Sequence, residues 1–206
     1  MRHIQRVLGI VTFAGVLVAA TACASSTSGP AGAPSAAPAS SSASSPAPGH
    51  TEPKQVSGTF GSGPVAYTYD KALVPDGAKV SVSEQVNDGR TTVKLDVHGL
   101  KPNRTYGAHV HAKPCGPKGD DAGPHYQNMP DPVKPSVDPR YANPKNEIWL
   151  DFTTDAKGDA VQESTVDWTF GVPSAGSVVI HADKTKTEPG QAGMAGARLA
   201  CISVPF

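Results

Sequence analysis

Val80-Ser81-Val82-Ser83-Glu84-Gln85-Val86, then Asn87-Asp88-Gly89, then Thr91-Thr92-Val93-Lys94-Leu95-Asp96-Val97, is the stretch that decides the fold. Apolar and polar residues alternate with period two on both sides of a tight-turn signal, which is the pattern of a half-buried hairpin. Val93, Leu95 and Val97 share the buried face. The same rhythm, weaker, marks strands at Gln55 to Phe60, Val65 to Tyr69, Gly107 to His111, Ile148 to Thr153, Ala160 to Val166, Ser177 to His181 and Leu199 to Val204, with Asp155-Ala156-Lys157-Gly158 as a turn. No helical period runs longer than a turn or two. Short strands punctuated by Gly and Pro predict an all-β domain, an antiparallel Greek-key sandwich or barrel. Two segments break the rhythm. Lys113 to Asn146 carries six prolines between Pro124 and Pro144, and Ala182 to Ala197 is polar and glycine-rich. Loops of this length are usually functional, so both are expected to wall a site.

The histidines cluster at those loops. His109-Val110-His111 lies on a predicted strand, where alternation sends both imidazoles to one face and Val110 to the core. His125 follows in Gly123-Pro124-His125, and His181 closes Val178-Val179-Ile180-His181. Beyond the N-terminal 53 residues only His98 stands outside such a motif; it precedes the Gly99-Leu100 turn and reads as a surface residue. Two imidazoles on one strand face make half of a tetragonal nitrogen site, the arrangement that suits Cu(II), and His125 and His181 can supply the rest.

Taken in order, Tyr106-Gly107-Ala108-His109-Val110-His111, Cys115, Ala122-Gly123-Pro124-His125-Tyr126, Val179-Ile180-His181 and Ala195-Gly196-Ala197-Arg198-Leu199-Ala200-Cys201 resemble the copper/zinc superoxide dismutase family. The resemblance covers about residues 55 to 206. It implies a β-sandwich, copper held by His109, His111, His125 and His181, and His125 as the bridge from copper to zinc. It also implies that Arg198 docks superoxide beside the metal, since a guanidinium stays charged at any working pH. A histidine that releases Cu(I) and takes up a proton, here His125, would serve the peroxide-forming half of the cycle.

The chain departs from the family in its zinc half. Residues 126 to 147 hold no histidine, and the family's remaining zinc segment falls near Lys145-Asn146-Glu147-Ile148. Asp131, Asp138 and Glu147 with one imidazole make a poor zinc site, because Zn²⁺ favours several N or S donors. The expectation is one copper per chain and no zinc. A carboxylate is expected to take the nitrogen of His125 that zinc would have occupied, Glu147 first and Asp138 second. The loop after His181 is shorter than in zinc-binding relatives, with Ala192 where they place an entrance threonine. Lys184 and Lys186 are then its only cations near Arg198.

The N-terminal quarter has another character. Arg2 and Arg6 precede an apolar run from Val7 to Ala20, a secretory signal over residues 1–22 that is too short for a confident membrane span. It ends in Ala20-Thr21-Ala22-Cys23, which resembles a lipoprotein cleavage box with Cys23 lipidated; ordinary secretion with an incidental cysteine is the alternative. Residues 24–53 are almost wholly Ser, Ala, Pro, Gly and Thr and cannot build a core, so they read as a disordered tether of roughly 30 Å root-mean-square span. The expected organisation is a signal (1–22), a lipidated tether (23–53) and a domain (54–206) outside the cell, on the outer face of its membrane. With Cys23 assigned to lipid, Cys115 and Cys201 remain as a pair, an exported compartment permits their disulfide, and the resemblance pairs them the same way.

Formal net charge is zero; without Arg2 and Arg6 the 18 basic residues become 16 against 18 acidic, about −2. No basic run suggests nucleic acid, and attraction for an anion must be local. Three functions fit: a lipid-anchored dismutase turning superoxide into O₂ and H₂O₂, a copper buffer or delivery lipoprotein without turnover, and a structural domain. Arg198 favours the first, because storage needs no anion dock. The copper donor is not legible.

Overall fold

The computed structural model describes residues 52–61 and 63–206. The predicted signal, Cys23 and nearly all of the tether lie outside the described residues. The regular structure of the rest is antiparallel sheet, joined by long loops and turns. Its strands are β1 (Lys54–Thr59), β2 (Ala66–Thr68), β3 (Lys79–Asn87), β4 (Arg90–His98), β5 (Thr105–His111), β6 (Phe152–Thr153), β7 (Ala160–Val166), β8 (Ser177–His181) and β9 (Arg198–Ser203). The one helical element among the described residues is a 3-10 turn at Gly119–Ala122.

Two sheets form, ordered β1-β3-β4-β7 and β2-β9-β8-β5-β6. The chain leaves the first sheet after β4, builds β5 and β6 in the second, and returns to lay β7 beside β4. Such over-and-back connections are those of a Greek-key sandwich. The β3–β4 hairpin has the predicted register, with Val80 opposite Val97 and Val82 opposite Leu95. Asp88 (φ 50°) and Gly89 (φ 77°) both take positive φ, the requirement of a type I′ turn. Val80, Val82, Val93, Leu95 and Val97 are buried against Ala108, Val110, Val178, Ile180, Ala200 and Ile202 of the other sheet. Each such Val, Leu or Ile contributes roughly 1.5–3 kcal/mol by leaving water. Glu84 also points inward and is buried; its partner is Lys54, at 3.1 Å, directly across from it on β1.

The predicted strand from Ile148 to Thr153 is only partly realised. Val110 N–H reaches Ile148 O and Leu150 N–H reaches Ala108 O, but the Asp151 carboxylate takes Ala108 N–H at 3.2 Å. A side chain there interrupts the regular ladder, so the named strand shrinks to Phe152–Thr153.

The second sheet positions the site. On β5, Tyr106, Ala108 and Val110 face the core, while Gly107, His109 and His111 face outward yet are buried. The loop of residues 182–197 lies directly on this outer face. A Cβ on Gly107 would stand 2.5 Å from Asp183 O and 2.7 Å from Ala195 Cβ. Only glycine lets the loop settle there.

Candidate metal centre

The ligand nitrogens of His109, His111, His125 and His181 lie within 4.8 Å of one another. Strand alternation supplies His109 and His111. Gly123-Pro124-His125-Tyr126 runs beside the end of β5, with Ala112 N–H donating to Pro124 O and Tyr126 N–H to Val110 O, which carries His125 over His109. Their ring centroids are 4.0 Å apart. His181 ends β8, opposite Gly107.

Each outer nitrogen is anchored. Nδ1 of His111 faces Gly123 O at 3.0 Å, Nδ1 of His181 faces Gly196 O at 3.5 Å, and Nδ1 of His125 faces Glu147 Oε2 at 2.8 Å. His109 reverses the pattern, with Nε2 2.7 Å from Thr185 Oγ1. The inner nitrogens converge. Nε2 of His111 and Nε2 of His181 are 3.2 Å apart, and Nδ1 of His109 is buried with no hydrogen-bond partner. Once these acceptors hold the outer N–H groups, the inner nitrogens are lone pairs turned toward one another, an arrangement that favours a cation between them. The donor set therefore fits a metal ion.

Burial and then neighbouring imidazoles disfavour protonation here. His109 and His111 are held well below the ordinary histidine range, and His181 is lowered to about 3. Neutral imidazole is the form that binds metal.

Glu147, the carboxylate that the Lys145-Asn146-Glu147-Ile148 segment put first, reaches His125. It is 1% exposed and accepts three N–H groups: His125 Nδ1 at 2.8 Å, Trp149 Nε1 at 2.7 Å and Gln127 Nε2 at 2.7 Å. Asp138, the second choice, does not reach the site. Its carboxylate is taken by the neighbouring Arg140 side chain at 2.6 Å, a local pairing fixed by sequence proximity. Asp131 is likewise occupied, by Val133 N–H and the Ser136 hydroxyl.

Arg198 owes its direction to an irregularity. Ala200 and Ile202 face the core, so strict alternation would send Arg198 inward too. The β8–β9 register shifts at Ile180/His181, leaving Arg198 opposite His181. The extra residue, Leu199, is buried in the core, and Arg198 swings to the histidine face; bulges commonly re-aim side chains this way. The loop above is pinned by the Cys115–Cys201 disulfide, Cα–Cα 5.8 Å across a separation of 86 residues. The crosslink is worth roughly 4 kcal/mol in the chain-entropy account. Gly119 O of that loop accepts Arg198 Nη1–H at 2.8 Å.

Arg198, His125, His181 and Glu147 open onto one cavity of about 760 Å³, walled by Lys134, Pro135, Ser136 and Val137 on one side and Gly193 to Gly196 on the other. Both predicted loops do wall it. Ala192 does not stand at the entrance: it is fully buried, because Gly193 N–H to Lys186 O and Lys186 N–H to Met194 O fold the loop over it. Met194 takes the rim. Lys186 is turned to Gln191, Nζ–Oε1 2.8 Å, whereas Lys134 from the proline-rich loop lines the wall. His98 is a surface residue between Asp96 and Asp159, at 3.1 and 3.3 Å. Gln127, Thr185 and Asp151 had no local signal and are met only when the loops close, whereas Trp149 lies two residues from Glu147 on the same segment.

The family model described as copper/zinc superoxide dismutase matches residues 77–204. Among solved structures the fold is similar to the Cu/Zn superoxide dismutase from Brucella abortus, with 21% identity, 75% of this chain and 100% of that chain covered, and a TM-score of 0.50. A mutant of a SOD-like protein from Bacillus subtilis gives 15% identity, 63% and 90% coverage, and a TM-score of 0.48. No curated protein sequence matches the chain. With the family model spanning more than half of its length, the chain belongs to the copper/zinc superoxide dismutase family.

Proposed function

We propose that this protein is an exported, lipid-anchored superoxide dismutase that works with copper alone. The observation that carries this reading is the convergence of four imidazoles, two of which, His125 and His181, open with Arg198 onto one cavity. Copper, when bound, would supply the one-electron redox chemistry by which two superoxide anions and two protons become O₂ and H₂O₂. His109, His111, His125 and His181 would hold it. Arg198, half-buried and still cationic, draws the anion to the cavity floor. Its guanidinium is fixed by Gly119 O, so the charge is in place before the substrate arrives. His125 is the most exposed of the four imidazoles, 18% by side chain, and the one tied to a carboxylate. It is suited to hold a proton at its inner nitrogen and pass it to the departing peroxide while Glu147 keeps the ring aligned.

Copper alone is favoured because Nδ1 of His125 already faces a carboxylate held by two further donors. Elemental analysis of the purified protein is expected to give about one copper and no stoichiometric zinc; one tightly held zinc per chain overturns the copper-only reading. Superoxide turnover by the copper-loaded protein separates an enzyme from a copper buffer.

The anion dock has its own test. Arg198→Ala is expected to lower turnover at least about 10-fold at low salt, and Arg198→Glu further, with the gap narrowing as salt screens the charge. Copper affinity stays nearly unchanged, since Arg198 is no ligand. Equal turnover in all three proteins removes Arg198 from the mechanism.

A further inference from the structure

Thr185 is held from both sides. Its hydroxyl lies 2.7 Å from His109 Nε2 and 2.6 Å from Asp151 Oδ1. Its backbone N–H donates to Asp151 Oδ2 at 2.8 Å, and Ala108 N–H donates to Asp151 Oδ1 at 3.2 Å. The carboxylate stands 3.9 Å from His109 Nε2, too far for a direct hydrogen bond, so it reaches the ring only through the hydroxyl.

Proton counting fixes the direction of the chain. A carboxylate already taking two backbone N–H groups acts as acceptor, and a hydroxyl has one proton to give. That proton goes to Asp151, and the Thr185 oxygen must then accept from His109 Nε2–H. His109 is left with Nδ1 bare, the very atom that is buried without a partner. The other three rings are anchored through Nδ1 and present Nε2. His109 alone presents the nitrogen nearest its backbone, and nothing in its own strand dictates that choice.

We infer that Thr185 is a positioning residue for the metal centre: an Asp151–Thr185–His109 relay sets the tautomer and ring plane of His109 so that Nδ1 faces the other three imidazoles. The identity of the metal rests on the copper reading above; the tautomer does not. The relay also joins parts that are distant in sequence. Thr185 belongs to the loop of residues 182–197, Asp151 to the segment leading into β6, and His109 to β5. The loop can lie close enough because residue 107 is glycine, where a Cβ would stand 3.3 Å from Thr185 Oγ1. A loop that walls the cavity thereby also fixes a ligand.

The test has two arms. In the metal-free wild-type protein, ¹⁵N NMR of the histidine rings is expected to show His109 protonated at Nε2; protonation at Nδ1 overturns the relay. In the copper-loaded protein, Thr185→Val, close in shape but without an acceptor, is expected to lower copper affinity about 10- to 100-fold and to change the Cu(II) EPR spectrum. Thr185→Ser is expected to restore both. An unchanged affinity and spectrum in Thr185→Val, or a serine variant that restores neither, overturns the relay in favour of simple packing. Should Thr185→Val fail to fold, the wild-type tautomer and the serine variant still decide. If the wild type shows the Nε2–H form yet holds no copper, the copper reading fails and the relay stands.

Discussion

The metal-free protein is expected to lose a large share of its stability between about pH 7 and about pH 5, and bound copper to push that loss to lower pH. His109, His111 and His181 are buried among one another, and desolvation first, then mutual repulsion, keeps all three far below the ordinary value of 6.5, His181 at about 3. In the unfolded chain the same rings titrate near 6.5. Below that pH the unfolded state binds more protons than the folded one, so stability falls as pH falls. Well below 6.5 each ring removes about 1.4 kcal/mol per pH unit; between pH 7 and pH 5 each removes about 2 kcal/mol and the three together about 6. That is a large share of the total for a domain stable by about 5–15 kcal/mol. Guanidinium midpoints of the metal-free protein should drop steeply from neutral toward pH 5; a flat profile would show that the rings protonate in place. Copper occupies the same lone pairs and opposes protons by mass action, so the loaded protein should hold its midpoint further into acid.

The second large effect is expected at Glu147. Replacing it by alanine strands the N–H groups of His125 and Trp149 and an amide proton of Gln127 in a buried pocket. Removing one member of such a buried charged network costs about 3–5 kcal/mol. Copper affinity should fall as well, because His125 loses the acceptor that fixes its ring. Glu147→Gln keeps the volume but sets an NH₂ against the incoming donors, and should fall between wild type and alanine. Asp138→Ala, at an exposed pair with Arg140, should change nothing measurable. Denaturant midpoints with copper titration check all three, and Trp149 fluorescence reports on the pocket itself. Glu147→Ala with wild-type stability and wild-type copper affinity would mean that the carboxylate is idle.

The hairpin β3–β4 was legible because one face meets the core and the other meets water, so polarity and geometry share one period. His109 and His111 were legible for the same reason, even though loops bury their face. Legibility failed where a single side chain overrides the ladder, as Asp151 does before β6, or where the chain folds back on itself, as it does over Ala192. Glu147 could be picked out because residues 126 to 147 hold no histidine, which left a nitrogen of His125 in want of a partner. Gln127 and Thr185 could not, since their partners are 20 and 76 residues away and on other segments. Proximity of that kind is a product of loop closure, not of spacing.

The register shift between β8 and β9 makes the centre hard to transplant. Histidines spaced by two can be grafted onto any regular strand, but an arginine three residues before a disulfide cysteine on the same face cannot. A designer copying Arg198-Leu199-Ala200-Cys201 into an unbroken sheet would put the guanidinium into the apolar interior and Leu199 at the mouth. Deleting Leu199 from the natural chain would instead restore strict alternation with Arg198 still outward, and the core would lose a leucine. One leucine out of phase lets two consecutive residues fill the core while the arginine before them and the cysteine after them both stay on the histidine face.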